Sequence, residues 1–201
     1  AVTPTSVKVN AKLTDTSSTV RLVLATDSLF TTPLFSNYYS VDTITNKVVS
    51  MEIDSLSMRT KYFYAVESSG IIDSSYDDIG SFKTFDTIPF SFSFCFGSCC
   101  LSSNHPVFDV MKNKNPDFFM NIGDLHYMDP NSTNVNVHWA PYETQVLSQQ
   151  RASDFFKKVP FVYTWDDHDF SGNDSDSSAV GKESAWKAYR DYVPHYPLPS
   201  G

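Results

Sequence analysis

The sequence predicts a small β-sandwich over residues 1–88 followed by an α/β domain over residues 89–201, with the change at Ile88-Pro89. Three observations lead there. Up to residue 88, short apolar segments are separated by Ser/Thr/Asp-rich turns, and none carries helical periodicity. From residue 89, apolar runs alternate with helix-like stretches, the order that builds βαβ units and a largely parallel sheet. Three of those later runs end abruptly in residues that can bind a cation, which places ligands at the carboxyl edge of one sheet.

In the first part, strands are expected at 20–24, 48–53, 61–66 and 80–85. Alternation is clearest in Tyr62-Phe63-Tyr64-Ala65-Val66, where every second side chain turns to one face. Strands this short, at this spacing, indicate a sandwich. The run from Leu56 to Val66 followed by Gly80-Ser81-Phe82-Lys83-Thr84 resembles the closing strands of a fibronectin type III module.

In the second part, a strand at 90–96 is followed by a helix opening at Val107. Ser103 or Asn104 is its expected cap, and Pro106 is tolerated in its first turn. A strand at 117–122 comes next, then a polar loop over 128–138 and one helix over 142–158, with Val146, Gln150, Phe155 and Phe156 toward one side. A strand at 159–165 leads into an Asp/Ser/Gly loop reaching Ser178. A helix at 182–192 and an extended tail from Pro194 to Gly201 complete the pattern.

A chain of 201 residues can bury a substantial core, and 41% hydrophobic with 19% charged residues fits an ordinary globular protein. The net charge of −8 argues against nucleic-acid partners and anionic membrane surfaces. No apolar run approaches the roughly 20 residues of a membrane helix. The chain opens at Ala1-Val2-Thr3, as a processed mature form would. The sequons Asn131-Ser132-Thr133 and Asn173-Asp174-Ser175 fit a secretory or vacuolar route. Three cysteines cannot all pair, and a bridge from Cys95 to Cys99 or Cys100 would need a bent backbone.

The chemistry is concentrated at three strand ends. Val159-Pro160-Phe161-Val162-Tyr163 empties into Trp165-Asp166-Asp167-His168-Asp169, and dense negative charge of this kind is costly unless a cation neutralises it. Upstream, Phe118-Phe119-Met120-Asn121-Ile122 runs into Gly123-Asp124, with Tyr127 three residues beyond; carboxylate and phenolate oxygens are hard donors that suit Fe³⁺. The first run ends in Gly97-Ser98-Cys99, where a thiolate is a soft ligand for iron or zinc. Taken singly, a turn-capping Asp124, a buried inert Cys99 and an exposed acidic turn at 166–169 are the bland alternatives. His105, His138 and His195 read as loop histidines, and His126 as a substrate contact, a group behind the ligands or a surface group. Arg151 reads as a surface arginine and Tyr142 as packing. Neither a Gly-x-Ser-x-Gly nucleophile frame nor a GxxxxGK phosphate loop is present.

Strand-Gly-Ser-Cys, strand-Gly-Asp-x-x-Tyr and strand-Trp-Asp-Asp-His-Asp, in that order, resemble the PhoD-like alkaline phosphatase family of metallophosphatases, whose amino-terminal module is also a β-sandwich. The resemblance covers nearly the whole chain. It implies that Cys99 and Tyr127 bind Fe³⁺, that Asp124 bridges iron to a second cation, Ca²⁺, and that Asp167 binds that second cation. His168 then contacts the phosphate or assists the leaving group, while Asp166 and Asp169 support the ligands from behind. The implied activity is hydrolysis of a phosphate ester, monoester or diester, by water activated at the metals.

The family also supplies an Asp and one or more His ligands from a carboxyl-terminal half, and a second half-sheet, that have no counterpart here. The expectation is therefore a catalytic domain incomplete at its carboxyl-terminal half, with a further fragment or chain completing the site. Alone, residues 1–201 are expected to be inactive and poorly soluble. Two alternatives stay open: a lipid-directed phosphodiesterase on the same scaffold, and a non-catalytic secreted adhesion or Ca²⁺-binding protein.

Overall fold

The computed structural model describes residues 1–16, 19–73 and 79–197. It divides into two compact units, one of Ala1–Ser91 with the tail from Pro194, the other of Phe92–Val193. The expected tail over 198–201 lies outside the described residues.

In the first unit, β1 (Val7–Lys12) pairs antiparallel with β5 (Val48–Ile53). A second sheet is centred on the antiparallel pair β2 (Thr19–Ala25) and β6 (Lys61–Ser68). The short strands β3 (Leu34–Phe35) and β4 (Tyr39–Ser40) join β2, while β7 (Ile71–Ile72) and β8 (Gly80–Lys83) join β6. Val7, Val49 and Met51 from one sheet pack against Val20, Leu22, Leu24, Tyr62 and Phe82 from the other, which makes a sandwich with alternating inward residues. β1 was absent from the expected strands although Val7-Lys8-Val9-Asn10-Ala11-Lys12 alternates faithfully.

One polar contact sits inside this sheet. Arg21 and Glu67 are cross-strand partners, and Glu67 is almost fully buried. The guanidinium donates through Nε to Oε1 at 2.9 Å and through Nη2 to Oε2 at 2.8 Å, a two-pronged contact that satisfies the buried carboxylate. Tyr38 donates to Oε1 at 3.0 Å, and the rings of Phe35 and Tyr38 lie 3.8 and 4.6 Å from the guanidinium carbon.

In the second unit, β9 (Phe94–Gly97), β10 (Phe118–Ile122) and β11 (Phe161–Thr164) form a parallel sheet in the order β11-β10-β9. The crossover from β9 to β10 runs through α1 (Val107–Asn113), and that from β10 to β11 through α2 (Val135–Pro141) and α3 (Gln150–Lys158). After β11 come the short α4 (Asp167–Phe170) and α5 (Lys182–Tyr192). One face of the sheet is covered: Phe119 packs with Phe108, Phe155 and Val159, and Tyr163 with Trp139, Tyr142 and Ala188. The opposite face leaves Phe94, Phe96, Ile122 and Val162 exposed, which a parallel sheet seldom tolerates.

Several expected elements differ. The single helix expected over 142–158 is two pieces: the chain runs on from α2, which ends at Pro141, and is interrupted at 148–149 before α3. The backbone widens into a π-helical turn at Tyr142–Leu147, with Ser148 N bonding Glu143 O at 2.8 Å, before α3 restarts. The loop over 128–138 contains the start of α2, capped by Asn134, whose side chain accepts from Asn136 N at 3.1 Å. Neither Ser103 nor Asn104 caps α1; its N-cap is Pro106, with no side-chain bond. The loop after β11 opens with α4.

The Arg21 contact, above all, holds the Glu67 carboxyl below the usual range. Its stabilisation is present above the ordinary glutamate value near 4.5 and is lost as pH falls through the depressed folded value. Thermal melts of Glu67→Gln between pH 7 and 3 are expected to start lower than the wild type and to fall less steeply below pH 4.5. Parallel curves would remove Glu67 from the acid response.

Candidate metal centre

The strand ends converge because the loops beyond them are stitched together. Past β9 and β10 the pairing continues irregularly: Cys99 N donates to Gly123 O at 3.2 Å, and Cys100 N to Asp124 O at 2.8 Å. Cys99 and Asp124 both adopt left-handed backbone conformations, with φ of +57° and +52°. Such conformations persist in non-glycine residues only where surrounding contacts impose them. The turn itself needs Gly123, whose φ is +116° and whose missing side chain leaves room for Asp166: a Cβ there would lie 2.8 Å from Asp166 Cβ. Asn121, buried at the end of β10, accepts from Gly123 N at 3.1 Å and fixes where the strand stops.

The result gathers all five candidate residues. Donor atoms of Asp124, Asp167 and His168 lie within 4.8 Å of one another. Tyr127 donates its hydroxyl to Asp124 Oδ2 at 2.7 Å, and the Cys99 thiol reaches the same oxygen at 3.7 Å. The Tyr127 and His168 rings are 4.3 Å apart between centroids. Asp124 is 8% exposed, and its other oxygen, Oδ1, is buried without a hydrogen-bond partner. A buried carboxylate oxygen left in that condition is expensive and asks for a cation.

Hydrogen bonding to Cys99, then to Asp124, holds the Tyr127 phenol well above its usual pKa. Its proton, like that of the thiol, stands on the Asp124 side where a cation would substitute for it. Asp167 Oδ1 accepts from His168 N at 2.9 Å and Oδ2 from Asp174 N at 2.6 Å; the Asp174 amide is the main cause of its lowered pKa. Hard oxygens, a thiol and an imidazole gathered at a carboxylate with one unpartnered oxygen fit a metal ion.

One functional candidate went unrecognised in the sequence. Asp129 Oδ1 lies 2.6 Å from His168 Nδ1, and this bond raises the imidazole pKa and fixes the ring. The Asp129-Pro130 pair reads as a loop, and nothing in its spacing from His168 announces the contact. Asp166 caps α4 by accepting from Asp167 N at 2.9 Å. Asp169 is buried, accepts from backbone amides, and has its pKa raised to about 6 by burial.

The histidines correct the sequence expectation in part. His126 is not a surface group: it is 1% exposed, burial lowers its pKa to about 4, and its position fits the alternative of a group behind the ligands. Its 4.0 Å approach to Asp169 is therefore not an ion pair at neutral pH. His138, expected in a loop, is buried in α2 with Nε2 2.7 Å from Ser132 O. His105 lies in a loop as expected. Arg151 bonds Asp109 and the carbonyl of Asn104. All three cysteines are free.

No protein-family model matches the sequence, and no curated protein matches it. Among solved structures, one titled "Structure of PhoD" superposes with a TM-score of 0.78 at 19% identity, over 100% of this chain and 46% of that one. Purple acid phosphatase PPD1 from yellow lupin (Lupinus luteus) seeds superposes with a TM-score of 0.61 at 12% identity, over 97% of this chain and 39% of that one. The chain therefore has a metallophosphatase-like fold and spans less than half the length of either structure, and the likeness to PhoD expected from the motifs is borne out in the fold.

The Gly123 turn yields a contrast between two glycines. Gly123→Ala meets both the positive φ and the Asp166 side chain and is expected to cost about 1–3 kcal/mol in urea unfolding. Gly97→Ala meets only ordinary contacts, at 3.8 Å to Phe119, and is expected to stay within about 0.5 kcal/mol of wild type. Equal losses at the two positions would contradict the tight loop packing.

Proposed function

We propose that this chain carries part of the active site of a metal-dependent phosphate ester hydrolase. The observation that supports this most is the cluster of Asp124, Asp167 and His168, in which Asp124 keeps one buried carboxylate oxygen without a partner. The fold shared with PhoD and a purple acid phosphatase supports the reaction class.

In this reading Cys99 and Tyr127 would hold Fe³⁺, Asp124 would serve both it and a second cation, Ca²⁺, and Asp167 would serve the second ion. When bound, such cations offset charge on the phosphate and lower the pKa of water. The chain's own residues supply the rest. Asp129 holds His168 through Nδ1, which leaves Nε2 to carry a proton to the departing alkoxide. Asp174 N and His168 N hold both Asp167 oxygens in place.

A further polypeptide segment, contributing more ligands and covering the exposed Phe94, Phe96, Ile122 and Val162, completes the catalytic unit in this proposal. A secretory or vacuolar location belongs to this reading, and the sequon asparagines Asn131 and Asn173 are both exposed, as glycan attachment requires. Among the described residues, no helix is long and apolar enough to cross a membrane.

The test uses the complete protein, assayed for metal content and for hydrolysis of aryl and alkyl phosphates. Iron with a visible charge-transfer band that disappears in Tyr127→Phe is expected. His168→Gln is expected to lower turnover of an alkyl ester by at least about a hundredfold, and of an aryl ester by much less, because a phenolate leaves without a proton. Calcium without iron, and no hydrolysis of either ester, would sink the proposal.

A further inference from the structure

Asp169 is a buried acid beside the centre, expected from the resemblance only to support the ligands from behind. Its side chain is fully inaccessible, and its two oxygens serve two different loops. Oδ2 accepts from Asp166 N at 3.1 Å, the bond that the third helical residue makes in a capping box. Oδ1 accepts from His126 N at 3.2 Å, 43 residues earlier in the chain. The first loop carries Asp124 and Tyr127; the second carries Asp167 and His168.

We infer that Asp169 is a positioning residue, a buried clasp that sets the distance between the two ligand-bearing loops and so the size of the cation site. The inference rests on the metal reading above but adds a residue that touches neither cation nor substrate. Ordinary capping would engage only the amide of Asp166. Spending the second oxygen on the His126 amide locks α4 to the turn after β10, so the 4.8 Å cluster cannot widen without breaking a buried charge-assisted hydrogen bond. The absent side chain of Gly123 serves the same end from the other direction, letting Asp166 approach that turn closely. The Tyr163 side chain and the Leu125 amide also face the carboxylate, whereas His126 is neutral and its Nδ1 accepts from Met128 N at 3.4 Å.

The test compares Asp169→Asn with wild type in the full chain, by amide hydrogen exchange without metal and by ferric titration. The variant keeps the shape but turns an NH₂ toward one of the two amides. Faster exchange at His126 or Asp166 is expected, with the half-saturating iron concentration raised about 10–100-fold while the melting temperature stays high enough for a folded protein at 25 °C. Unchanged protection at both amides, or unchanged iron affinity despite faster exchange, would overturn the clasp. If the wild type takes up no iron, the metal reading fails, and the exchange arm alone decides whether the two loops are clasped. If the variant does not fold, wild-type exchange in low denaturant decides: a common opening free energy for the two amides supports the clasp, and separate openings overturn it.

Discussion

The Asp124 carboxylate is the constraint on which the second unit depends. It sits at the end of the central strand, almost out of solvent, with one oxygen shared by a phenol and a thiol and the other unpartnered. Folding a carboxylate into that condition costs several times what a surface aspartate costs. The neighbouring structure is arranged around this cost. Left-handed backbone at Cys99 and Asp124, the glycine turn at Gly123 and the buried Asn121 hold the oxygen in one place. A cation is the group that would make that arrangement favourable.

The positions of the remaining residues follow from the sheet. A parallel sheet puts the ends of β9, β10 and β11 on one edge, so groups far apart in sequence meet there without long loops reaching across. Asp129 then fixes the imidazole of His168, and Asp169 ties the loop before it to the loop behind it. Burial decides which titratable groups take part: His126 and His138 are enclosed and structural, while His168 keeps access to the edge.

Much of this could be read in the sequence, for physical reasons that differ by element. β5 and α5 match expectation because hydrophobic alternation and helical spacing are local signals. The candidate strand ends stand out because three carboxylates crowded together after an apolar run are costly unless cations or capping amides offset their charge. β1 was legible but unread, since its small apolar residues alternate with lysine and asparagine. The interruption at 148–149 carries no local signal, because neither Ser148 nor Gln149 breaks a helix strongly. Asp129 could not be found: its partner lies 39 residues away, and only the fold brings them together.

The central claim is that the Asp124 carboxylate is destabilising without a cation and stabilising with one. Thermal melts of wild type and Asp124→Asn, each with and without ferric iron, test it directly. The account predicts that iron raises the wild-type melting temperature and leaves the variant unmoved, and that without iron the variant melts at or above the wild type. An equal rise in both proteins, or a variant that melts well below the wild type without iron, would contradict it.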